Sequence, residues 1–101
     1  MKHISFESAV GQWLAQEESI RDWMAFDGED NKIRLARLRR NLALARTQVL
    51  TSRQQEILSL YYDQHLNMRA IARQLQVAPS TVSRTLHRAE NRLRSYLRYS
   101  L

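Results

Sequence analysis

Apolar residues recur along this chain at helical intervals, and the most regular stripe lies near the C-terminus. Val82, Leu86, Ala89, Leu93 and Leu97 follow one another at spacings of 4, 3, 4 and 4 residues, which predicts one buried face of a helix opening at Pro79. Proline suits that first position, because its missing N–H would have had no intrahelical partner there and its fixed φ is already helical. Just upstream, Asn67 is placed to cap a shorter helix that turns Ile71, Ala72 and Leu75 inward. Gln76, Val77 and Ala78 form the connection, and Val82 follows the small Ala72 by ten residues. Two helices joined so tightly, with a small residue at their approach, make a helix-turn-helix arrangement.

The face left over on the second helix carries Ser80, Thr81, Ser83, Arg84, His87 and Arg88, with no acidic residue before Glu90. Short hydroxyls near a helix N-terminus allow close approach to a groove or phosphate, and arginine offers a bidentate fork for guanine edges or phosphate oxygens. These residues point to double-stranded DNA as the partner. A solvated basic helix in an ordinary helical protein would carry the same pattern without that partner.

The N-terminal half predicts two more helices. In residues 5–24, Phe6, Val10, Trp13, Leu14, Ile20 and Trp23 or Met24 fall near one face, with Ser5 as the cap. Both tryptophans lie in this stretch, either packed on the rest of the chain or exposed as anchors for a partner. The break Asp27-Gly28-Glu29-Asp30-Asn31 ends it, and Asp30 or Asn31 is expected to cap a helix running from about Lys32 to Val49. There Leu35, Leu38, Leu42, Ala45 and Val49 keep the 3, 4, 3, 4 spacing of a helix-helix seam, filled either by the first helix of the same chain or by a homodimer through residues 32–49. Thr51 and Gln54 can close a capping box on the next helix, whose apolar residues are Ile57, Leu58, Leu60 and Tyr61. That helix is expected to end near residues 62–65, with Leu66 falling back into the core.

Composition narrows the classes. The 101 residues allow a single small domain with a modest core, and 44% apolar residues with only two Gly and one Pro fit a chain that is helical almost throughout. No apolar run is long enough to span a bilayer, and the start MKHISFESAV lacks the apolar core of a signal peptide. A soluble, cytoplasmic protein is expected. With no cysteine there is neither disulfide nor thiolate metal site, and His3, His65 and His87 lack ligand spacing. No cofactor, metal or catalytic triad is expected, and an enzyme is not. The charge is strongly segregated: residues 1–30 carry net −5, residues 31–50 net +6 with no acid at all, and residues 51–101 net +5. A basic C-terminal half joined to an acidic N-terminal segment fits a nucleic-acid surface attached to a part with another task.

The stretch from Leu50 to Leu97, LTSRQQEILSLYYDQHLNMRAIARQLQVAPSTVSRTLHRAENRLRSYL, resembles region 4 of the bacterial sigma factors. The likeness rests on the leading LTxRQ and ILxLxY, on Ile71, Ala72 and Leu75, and on the tail from Val82 to Leu93, and it covers about half the chain. It implies an all-α protein: an N-terminal helical segment, residues 1–50, for packing, dimerisation or partner contact, then a four-helix DNA-binding domain, residues 51–101. It also implies contact with the RNA polymerase core, since region 4 reads an upstream promoter element and rests on the polymerase flap. In that likeness Arg84 meets base edges, with Ser80, Ser83 and Arg88 as further candidates, while Arg69, Arg73, Thr81 and His87 are expected at backbone phosphates.

Three departures stand out. Gln76 occupies the turn position usually held by glycine, and Ala78 replaces a capping Ser or Thr. The fifty residues upstream leave no room for the sigma region that melts DNA, so the resemblance implies a stand-alone region 4 protein, of the kind found among phage and mobile-element regulators. A conventional dimeric repressor or activator without polymerase contact, and a protein or RNA interaction module using the same fold, are the alternatives.

Overall fold

The computed structural model of the chain describes residues 4–16 and 29–99. Those residues form helices joined by short turns: α1 (Phe6–Gln16), α2 (Glu29–Gln48), α3 (Ser52–Leu58, continued by a π-helical turn over Ser59–Asp63), α4 (Met68–Leu75) and α5 (Pro79–Tyr99). One apolar cluster draws on every helix, which makes the all-α expectation correct.

The C-terminal stripe is buried as its spacing required. Val82, Leu86, Ala89, Leu93 and Leu97 are all at or below 2% exposure, and α5 packs on α2, α3 and α4. Excluding a leucine-sized side chain from water stabilises by about 1.5–3 kcal/mol, so this helix is the main support of the core. The expected caps also form. The Thr51 hydroxyl accepts from the Gln54 N–H at 3.2 Å while the Gln54 carboxamide accepts from the Thr51 N–H at 3.0 Å. Asn67 Oδ1 accepts from the Ala70 N–H at 2.8 Å, and the Ser5 hydroxyl accepts from the Ser8 N–H at 3.1 Å. Gln54, though polar, is buried: its Oε1 also takes a 3.3 Å bond from Arg92, tying the start of α3 to α5.

In the N-terminal half, α1 buries Ala9, Val10, Trp13 and Leu14. Ile20, Trp23, Met24 and the break at Asp27-Gly28 lie outside the described residues. Helix α2 already runs from Glu29, so Asp30 and Asn31 sit within it instead of capping it; the cap must precede a residue whose backbone is already helical. Leu38, Leu42 and Ala45 are buried within a single chain, so the seam is filled intramolecularly: Leu38 and Leu42 line a groove with Val10 and Leu14 of α1, as expected, and α2 also packs on α5. Arg46 clamps this half to the other: it donates to the Asp63 carboxylate at 2.8 Å, and its guanidinium lies 4.6 Å from the Phe6 ring centroid. That bond holds the Asp63 carboxyl below the usual carboxylate range. Asp63 is exposed and Arg46 half-buried, so solvent screens the pair and its contribution is small.

The π-helical turn is a departure from the expected pattern. The Gln64 N–H reaches back five residues to the Ser59 carbonyl at 3.0 Å, and His65 then takes φ of 58° to end the element. The wider turn brings Tyr62 into the core and leaves Tyr61 half-buried against it. Tyr62 donates its hydroxyl to Glu90 on α5 at 2.8 Å and meets the Phe6 ring edge-on at 5.7 Å. Burial, and then the Glu90 carboxylate, push the Tyr62 hydroxyl well above the ordinary tyrosine range.

At the α4–α5 connection Gln76 takes the backbone conformation that glycine favours. Its φ of 58° and ψ of 46° place it in the left-handed region, where its N–H and that of Val77 close the end of α4 on the carbonyls of Arg73 and Ala72. A side chain in that region costs up to about 1 kcal/mol relative to glycine. Gln76→Gly is therefore expected to raise the melting temperature by several degrees. A lower melting temperature would show that the exposed Gln76 side chain stabilises the turn more than its backbone strains it.

Candidate nucleic-acid interface

The two helices of the motif are held at their inner faces by Ile71, Ala72, Val82 and Leu86, leaving the residues between these positions to face outward. On α5 the order of exposure is clear. Ser80, Arg84, His87 and Arg88 are exposed, while Thr81 and Ser83 are half-buried at the flanks. Ser80, Arg84 and Arg88 stand four residues apart and share one side of the helix. On α4, Arg69 and Arg73 are both exposed, again four apart, and line a shallow concavity with Gln76, Val77 and Pro79 at the turn. The structure thus brings all eight residues named from the sequence to the two helices and the turn between them.

The electrostatics of this face are unusually simple. Among the described residues, Arg69, Arg73, Arg84 and Arg88 form no ion pair with a carboxylate, unlike Arg46 with Asp63 and Arg53 with Glu56. An arginine without an internal partner holds its donors for a ligand. His87 is different. Its Nδ1 lies 2.9 Å from the Ser83 carbonyl oxygen, which can only accept, so Nδ1 carries the proton and Nε2 remains for outside contacts. A neutral His87 then offers a lone pair, and only the imidazolium donates to a phosphate.

Helix α5 starts without a side-chain cap. The Ala78 carbonyl accepts from the Thr81 N–H at 3.0 Å and the Val82 N–H at 3.3 Å, and Pro79 fills the first helical position. Among the described residues there is no group of His, Cys, Asp or Glu that could hold a metal ion, and no helix long and apolar enough to cross a membrane.

The α4–turn–α5 unit has the helix-turn-helix arrangement, with an outer face of arginines that pair with no carboxylate among the described residues. Residues 48–95 match the family model described as Sigma-70, region 4, and this part of the chain is a sigma region 4-like helix-turn-helix domain. No curated protein and no solved structure matches the chain.

Sequence reasoning missed the contacts that set this domain in place. Tyr62–Glu90 and Arg92–Gln54 join α5 to the helical elements before it across 28 and 38 residues of sequence. No local spacing signals such pairs.

Proposed function

We propose that this protein is a sequence-specific regulator of transcription that acts at promoters, reading double-stranded DNA with α5 and contacting RNA polymerase. The observation that carries the reading is the set of exposed, carboxylate-free arginines on α4 and α5 within a sigma region 4-like domain. Arg84 and Arg88, with Ser80 and Ser83 beside them, read base edges in the major groove. Arg69 and Arg73, with Thr81 and protonated His87, hold phosphates and fix the register. Polymerase contact follows from the resemblance to region 4 and is tested by copurification with core polymerase. Residues 51–101 are the reader, residues 1–50 support it, and the working compartment is the cytoplasm.

Two substitutions separate the roles. Arg84→Ala removes a base-edge fork, costing about 1–3 kcal/mol at the selected site and relaxing discrimination at one base pair. Arg73→Ala removes a phosphate contact, weakening all duplexes alike and flattening the salt slope by about one. Both variants are titrated against a selected site and a scrambled duplex over a range of salt. Equal weakening of both duplexes by Arg84→Ala would make Arg84 a phosphate clamp and move base reading to Ser80, Ser83 or Arg88.

A further inference from the structure

Helix α2 carries a second cationic surface that the helix-turn-helix does not explain. From 31 to 50 the chain has six basic residues and no acidic one, and four of the six, Lys32, Arg37, Arg39 and Arg40, are exposed and have no ion-pair partner among the described residues. Arg46 is excluded, because Asp63 and Phe6 already hold it. None of the four supports the core: the buried stripe of this helix is Leu38, Leu42 and Ala45.

From these residues we infer that the outward face of α2 is a second DNA-binding surface, which follows the sugar-phosphate backbone of the duplex that α5 reads. The inference rests on the reading of the chain as a duplex-DNA binder and adds a surface to it. The four cations span Lys32 to Arg40, about 12 Å of helix axis, a length that covers several successive phosphates of one strand. Helix α2 also packs directly on α5, so its cations are carried on the same rigid body as the reading helix. A surface of four cations with no ion-pair partner among the described residues complements a polyanion with one charge per about 1.7 Å of axis.

A second copy of this chain is a poor occupant. Ile33 and Leu44 are exposed on this face, at 56% and 49%, but Arg37 and Arg40 lie between them on the same stripe. Pairing two such faces would set arginine against arginine. An acidic protein partner is the remaining alternative, and the test distinguishes it.

The full-length chain is compared with the triple variant Arg37→Gln, Arg39→Gln, Arg40→Gln, using a long duplex of scrambled sequence. These positions are exposed, so the melting temperature is expected to stay unchanged. The slope of log affinity against log salt is expected to fall in magnitude by about 2.7, so that raising salt from about 50 to 200 mM costs the variant about 40-fold less affinity than the parent. The matching triple substitution by lysine is expected to keep the parental slope, because phosphate tracking needs charge and not a planar fork. Binding by the parent with an unchanged slope in the glutamine variant would overturn the inference alone and assign this face to an acidic protein. A slope lost equally in the lysine variant would also overturn it, as would a glutamine variant that no longer folds while the lysine variant binds with a reduced slope. Absence of duplex binding by the parent would overturn the functional reading, and this inference with it.

Discussion

Trp13→Ala is expected to destabilise the protein by about 3–5 kcal/mol, the range for truncating a large buried aromatic. Trp13 is only 7% exposed and lies in the cluster that also holds Leu93 and Leu97. Its ring meets Phe6 edge-on at 6.0 Å, and the Arg94 guanidinium sits 5.9 Å from its centroid. Arg94 also donates to Gln16 at the end of the same helix, so α1 is fastened to α5 by apolar, cation–π and hydrogen-bond contacts together. Thermal unfolding followed by far-ultraviolet circular dichroism measures the loss. An unchanged melting temperature would mean that α1 does not dock on α5 and that Trp13 is free for a partner, the alternative its sequence position leaves open.

Leu42→Ala is expected to cost about 2–5 kcal/mol, from lost transfer free energy and the cavity left behind. Leu42 is 2% exposed between Leu38 and Ala45, on the face of α2 that packs against α5. Because this burial is complete within one chain, the variant is expected to lose stability without a change in sedimentation mass. A parent that sediments as a dimer and a Leu42→Ala variant that sediments as a folded monomer would return the seam to an interface between chains. Denaturant unfolding distinguishes these outcomes, since loss of a folded dimer depends on protein concentration whereas loss of an internal contact does not.

The two substitutions probe different kinds of knowledge. For Leu42, the 3, 4, 3, 4 spacing marks a buried seam but leaves its partner open, because a heptad stripe has the same form whether the facing helix belongs to this chain or to another. The structure supplies the partner. For Trp13, the helical stripe marks the inner face of α1, and the choice between core and docking anchor depends on whether α5 offers a matching surface.

Much of the helix-turn-helix was legible beforehand, because its signals are local. Asn67 and Thr51 cap helices through bonds spanning three residues, and Pro79 fixes its own φ. The left-handed φ of Gln76 is what the resemblance to sigma region 4 implies, since Gln76 stands at the turn position usually held by glycine. The five apolar positions of α5 were all buried as spaced, since a helix of 3.6 residues per turn has only one way to bring them together.

By itself, then, the amino-acid order determined the helical character of the described segments, the apolar stripe of α5, where the C-terminal helices start, and which arginines of α4 and α5 are left outside. Tertiary structure alone decided the rest. It inserted the π-helical turn at Ser59–Asp63, which buries Tyr62 and brings its hydroxyl to Glu90. It filled the α2 seam from within the chain, and it set Arg46 between Phe6 and Asp63 while leaving Arg37, Arg39 and Arg40 to solvent. The physical reason is range. Helix periodicity, caps and turns are set by energies among residues three or four apart, whereas each of these choices depends on the shape and charge of a surface many residues away in the chain.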